Sequence, residues 1–155
     1  MNLKDKIQEL ARQNESQILE VRRTIHQNPE LSFEEFETQK FLKKKLKEIG
    51  IYAEPIGNTG LTACIEGKSS GKVVALRADM DALPILEETD IDFKSKNEGV
   101  MHACGHDVHS ACLFGAASIL QETKDQWNGK VKLIFQPGEE KFPGGASILI
   151  KEGIL

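Results

Sequence analysis

Apolar positions in the opening segment recur three and four residues apart, at Leu3, Ile7, Leu10, Ile18, Val21 and Ile25. That spacing places one stripe on a helix spanning residues 3–27. "NPE" at 28–30 ends it, because the residue before a proline is pushed out of the helical region. Ser32 followed by Glu35 has the form of a capping box, which predicts a second helix from about Phe33 to Ile49, stopped by Gly50. The "KKKLK" run is its solvated face.

The pattern then changes. "IYAEPI", "LTACIEG" and "KVVALRADM" are short β-prone runs separated by Gly, Asn and Ser, and each predicts a strand. "VVAL" does not alternate, which predicts a strand covered on both faces. From Asp107 the residues Val108, Ala111, Cys112, Gly115 and Ile119 return to helical spacing, giving a third helix to about Thr123. "KVKLIFQ" reads as another buried strand, and a short helix follows near Ala146 to Lys151. Interleaved helices and strands predict a layered α/β domain, with no repeat and no interdomain linker.

Composition narrows the function classes. A chain of 155 residues with 39% hydrophobic and 28% charged residues is an ordinary globular composition. Its net charge of −4, from 20 basic and 24 acidic residues without a block of either sign, argues against a nucleic-acid partner. No apolar run approaches the roughly 20 residues of a membrane span, and "MNLKDKIQEL" lacks the apolar core of a secretory signal, so the expected location is the cytoplasm. Three cysteines at irregular spacing suit free or metal-bound thiols better than disulfides. Cys64 and Cys112 fall in apolar patterns and read as small buried hydrophobes, whereas Cys104 has histidines for neighbours.

The chemistry concentrates where apolar strands end, at "ALRADMDALP" and "LIFQPGEE", and ligands of open α/β sheets bind beyond such ends. Asp79 and Asp81 are two apart, so in an extended segment they could face one cleft; alternatively one caps a turn and the other pairs with Arg77. Glu139 and Glu140 follow Pro137-Gly138 and diverge as neighbours do, which lets one bind a metal while the other takes a proton from water, although such a pair taken alone is more often surface charge. In "MHACGHDVHSA", Cys104 and His106 supply a thiolate and an imidazole suited to zinc or a similar ion. Gly105 between them removes a side chain where the backbone passes close to the site. The same pair could equally be a nucleophilic cysteine with a histidine base. His102 and His109 read either as groups supporting the site or as surface histidines, and His26 as structural.

In order along the chain, "RRTIHQNPELSFEE", "LRADMDALPI", "MHACGHDVHSA" and "FQPGEEKFPGGA" resemble the motifs of the aminoacylase and carboxypeptidase superfamily of metallopeptidases. The match is nearest to its amidohydrolase branch, which contains hippurate hydrolases, N-acyl-amino-acid deacylases and auxin-conjugate hydrolases. The resemblance implies a three-layer α/β catalytic domain with helices packed on a mixed sheet, residues 1–155 forming its amino-terminal part. It implies that Cys104, His106 and Glu140 are metal ligands, that Glu139 is the general base and that Asp81 supports the metal site. The implied cofactor is a pair of divalent ions, zinc, manganese or nickel. The implied reaction is cleavage of the amide bond of an N-acyl amino acid or a similar small conjugate, by a full-length enzyme able to form a homodimer. Val108 departs from the family, many members having Gly there, a change the helix should tolerate. The family's remaining metal-binding histidines and its inserted smaller domain would lie beyond Leu155, so the 155-residue chain itself is expected to bind metal weakly and to hydrolyse negligibly.

Two other classes make distinct predictions. A catalytically silent fold fragment or interaction module would show no tight metal site. A thiol hydrolase would be inhibited by alkylating reagents but not by chelators, and it leaves "GEE" unexplained.

Overall fold

The computed structural model describes residues 2–154. Its elements run α1 (Leu3–Gln13), α2 (Glu15–Gln27), α3 (Phe36–Glu48), β1 (Glu54–Ile56), β2 (Gly60–Glu66), β3 (Val73–Asp79), α4 (His106–Glu122), β4 (Lys130–Gln136) and α5 (Gly145–Lys151). The strands form one mixed sheet in the order β1-β2-β4-β3. β1 pairs with β2 and β2 with β4 in antiparallel fashion, and β3 lies parallel to β4.

Alternation along β4 builds a layer on each face of the sheet. Leu133 and Phe135 join the main core with Val21 and Ile25 of α2, Leu42 and Leu46 of α3, and Ala111, Phe114 and Ala117 of α4. Ile134 points the other way and packs with Leu149 of α5 and Ile154. The result is the layered α/β domain that the sequence pattern predicts, with the helices on a mixed sheet that the resemblance implies. Among the described residues no helix is long and apolar enough to cross a membrane.

Several local expectations are corrected. The first apolar stripe belongs to two helices, interrupted at Asn14, whose side-chain amide donates to Ser118 Oγ at 3.1 Å. Ser32 and Glu35 do not form a capping box. The free amides of Glu37 and Thr38 in the first turn of α3 instead donate to the Glu30 carboxylate, at 3.1 and 2.8 Å, which leaves Ser32 and Glu35 for other partners. The other end of α3 follows expectation: Gly50 N donates to Lys47 O at 3.0 Å and Ile51 N to Leu46 O at 2.9 Å, a Schellman closure.

The "VVAL" strand is not covered on both faces. β3 bonds only β4 and lies at the sheet edge, with Val73 65% and Val74 52% exposed. Cys64 and Cys112 are exposed as well. Cys64 alternates with the buried Ala63 and Ile65 and so faces away from the core, and Cys112 sits off the buried side of α4.

Candidate metal centre

β3 and β4 are parallel and in register, with Asp79 opposite Gln136, so the loops leaving their carboxyl ends start side by side. Met80 N donates to Gln136 O at 3.0 Å and prolongs the pairing by one residue. The first loop carries Asp81 and the second carries Glu139 and Glu140. α4 brings the third component: Ser110 Oγ donates to the Asp79 carbonyl at 2.9 Å, which holds the first turns of α4 against the end of β3.

Cys104, His106 and Glu140 each present one ligand atom, and the three atoms lie within 4.8 Å of one another. Asp79, His106 and His109 form a second group by the same measure, sharing His106. A thiolate, an imidazole and a carboxylate around one small space are a donor set that fits zinc or a similar divalent ion.

Asp81 stands behind the first group. Its carbonyl and its Oδ1 lie 2.8 and 3.1 Å from His106 Nδ1, while Oδ2 accepts from Ser32 Oγ at 2.6 Å and from the Glu140 amide at 2.9 Å. Burial pushes the Asp81 carboxyl up, but the His106 ring, the Ser32 hydroxyl and the amides of Glu140 and Glu139 outweigh it and hold the group at about 2. Burial alone would likewise lower His106, and the Asp81 carboxylate and carbonyl raise it instead. With its hydrogen on Nδ1, His106 leaves Nε2 as the lone-pair nitrogen, the arrangement a metal-binding histidine needs.

The Cys104 thiol is pushed up by its hydrogen bond to Glu140, then by burial and by the neighbouring acids. An activated nucleophile needs the opposite shift, so this environment does not support a thiol hydrolase. Gly105 has φ of +81° and open space where a Cβ would stand. Left-handed backbone, rather than crowding, accounts for glycine there.

The two aspartates divide their work. Asp79 pairs with Arg77, 2.5 Å from Nη2, and lies 3.6 Å from His109 Nδ1, whereas Asp81 faces His106 and Glu140. His109 is exposed, its ring stacked 5.6 Å from that of His106. His102 is not a surface histidine: it is 4% exposed, and among the described residues neither ring nitrogen has a hydrogen-bond partner. Burial lowers its ring to about 4, so it is neutral near pH 7. Its ring lies 6.4 Å from that of His26, against α2 rather than in solvent.

His26 is structural, as expected. Its Nδ1 lies 2.9 Å from Asp107 Oδ2 and its Nε2 3.0 Å from Glu87 Oε1. Both contacts are donor bonds only in the doubly protonated ring. Arg22 Nε adds a contact to Asp107 at 3.3 Å. Glu87 also accepts from the Ser95 amide at 2.7 Å and from the Thr89 hydroxyl, fastening the long segment between β3 and α4 to α2.

The sequence pattern does not mark Ser32 or Glu87 as parts of this arrangement, although Ser32 lies in "NPELSFEE", one of the motifs that carry the resemblance.

Peptidase family M20/M25/M40 matches residues 75–155. N-acetyl-L-cysteine deacetylase of Bacillus subtilis is 53% identical over 142 residues, covering 91% of this chain and 34% of the relative. Thermostable carboxypeptidase 2 of Saccharolobus solfataricus is 47% identical over 158 residues, covering 100% of this chain and 40% of the relative. A solved structure of a dinuclear metal-binding M20 peptidase from Bacillus subtilis superposes with a TM-score of 0.86 at 43% identity, covering 90% of this chain and 40% of that one. The chain thus spans between 34% and 40% of the length of these proteins.

Proposed function

The chain belongs to peptidase family M20/M25/M40, and on that premise we propose that it forms the amino-terminal part of a metal-dependent amidohydrolase that cleaves the amide bond of N-acyl amino acids or similar small conjugates. The observation that carries this reading is the convergence of the Cys104, His106 and Glu140 donor atoms within 4.8 Å, with Asp81 behind both His106 and Glu140. The deacetylase name of one relative supports the acyl-amino-acid substrate class, and the dinuclear description of another supports a pair of metal ions; the family resemblance implies divalent zinc, manganese or nickel.

When bound, such ions lower the pKa of water toward about 7 and polarise the amide carbonyl. The chain's own residues then have separable tasks. Cys104, His106 and Glu140 would hold one ion. Asp81 keeps the His106 hydrogen on Nδ1 and orients Glu140 through its amide. Glu139, exposed beside them, takes a proton from the attacking water and returns it to the departing amine. A two-metal site needs more ligands than the three in the first group, so the 155-residue chain alone is expected to bind metal weakly and to turn over negligibly.

Zinc competition against a chromophoric chelator tests the ligand set. Alanine at Cys104, His106 or Glu140 should each weaken binding by more than about 100-fold, beyond what loss of a supporting partner costs. Affinity equal to wild type in all three would remove the assignment. Hydrolysis of N-acetyl amino acids and hippurate by metal-loaded full-length enzyme tests the substrate class, and activity on neither would overturn it.

A further inference from the structure

Glu35 is a fully buried acid that the metal chemistry does not use. It stands just before α3, yet it does not cap that helix, because Glu30 already accepts the amides of Glu37 and Thr38. Its carboxyl group points away from the helix toward the turn that follows β4. Oε1 accepts from the Gly138 amide at 2.8 Å, and Oε2 accepts from the hydroxyl of Thr59, itself fully buried. Burying a carboxyl group is costly unless hydrogen bonds satisfy it, so this acid is held in place for what it binds. Burial raises the Glu35 carboxyl above its ordinary value even with these donors present.

Gly138 directly precedes Glu139 and Glu140, and it is fixed on every side. Its carbonyl accepts from Gly145 N at 2.8 Å, and its φ is +55°. A Cβ there would stand 2.2 Å from the Phe33 ring. Phe33 itself has φ of +69°, which folds the segment before α3 under the turn. The same segment reaches the site a second time, through Ser32 on Asp81 and Asp81 on the Glu140 amide.

We propose that Glu35 is a positioning residue for the metal centre: by accepting the Gly138 amide, with Thr59 securing its second oxygen, it sets the path of the turn that aims Glu139 and Glu140. The proposal rests on the reading of those two residues as base and ligand. Glu35 touches neither metal nor substrate, and its influence passes through the backbone of one glycine.

Amide hydrogen exchange and cobalt(II) titration of the 155-residue chain test it. Glu35→Leu removes both acceptors at similar volume, whereas Glu35→Gln keeps an acceptor for Gly138. In the Leu variant the Gly138 and Glu140 amides should exchange about tenfold faster while those of Leu133 and Phe135 in β4 keep their rates. Cobalt affinity should fall about tenfold, with a changed thiolate-to-cobalt absorption band, and the Gln variant should restore both properties to within about twofold of wild type. Thr59→Val gives the same pattern at smaller amplitude and replaces the Leu variant should that one not fold. Unchanged Gly138 exchange, equal acceleration in β4, or wild-type cobalt affinity in the Leu variant would each overturn the positioning role. The ligand assignment is judged separately: if Cys104→Ala and Glu140→Gln bind cobalt as wild type does, that assignment fails whatever Glu35 does.

Discussion

The Asp81 carboxylate and the His106 ring meet at 3.1 Å between Oδ1 and Nδ1, with the Asp81 carbonyl 2.8 Å from the same nitrogen. One residue of the β3 loop therefore fixes the tautomer of the first histidine of α4. Its second carboxylate oxygen fixes the Glu140 amide.

Asp81→Asn separates charge from shape. An amide side chain has one acceptor oxygen for three donors now served by two, so either the His106 ring or the Ser32–Glu140 pair loses its partner. Zinc affinity should fall by about 10- to 100-fold. Chelator competition measures it, and affinity within about twofold of wild type would show that Asp81 does not support the ligands.

Glu139 and Glu140 should fail in different ways. In a full-length enzyme, Glu139→Gln should retain metal and lose about 10²- to 10⁴-fold in kcat, as expected when a general base is removed. Glu140→Gln should lose the metal itself. Metal content by elemental analysis beside turnover distinguishes them, and full activity in Glu139→Gln removes the base role.

Glu87 gives the fold an acid-sensitive anchor. Burial pushes its carboxyl up, but the Thr89 hydroxyl, the His26 ring and the Ser95 amide prevail and hold it at about 2, against an ordinary 4.5. A depressed carboxyl contributes stability above its unfolded value and loses that contribution as pH falls through its folded value. The window is therefore about 4.5 down to about 2. Denaturant midpoints should show the advantage of wild type over Glu87→Gln shrinking between about pH 5 and about pH 2. A constant advantage would show that the Glu87 contacts are not linked to protons.

His26→Leu should be more damaging than its size suggests. It leaves Asp107 and Glu87 buried, the latter without one partner and the former with only Arg22. Removing one member of such a buried charged group costs about 3–5 kcal/mol. Urea unfolding of the variant reads this directly, and a loss below about 1 kcal/mol would mean that the network contributes little.

Much of this protein was legible from local pattern. The three-and-four spacing located α2 and α4, the Schellman glycine ended α3 where expected, and the β-prone runs located all four strands within a few residues. The chemistry-bearing motifs were legible too, since few structural demands place Cys, His and paired Glu at the ends of apolar strands. The sequence also offered both readings of Asp79 and Asp81, and it had no means of deciding which aspartate turns to Arg77.

Folding decided that, as it decided most of what supports the candidate ligands. Ser32 meets Asp81 from 49 positions away, Glu35 meets Gly138 from 103, and His26 meets Asp107 from 81. Periodicity reports which face of an element is apolar, because that is a property of neighbours along the chain. It carries no information about which polar group will oppose a buried Ser, Glu or His, since that partner is set by how separate elements pack. The local code therefore determined the elements and the candidate reactive residues, and packing alone determined which hydrogen bonds hold those residues in position.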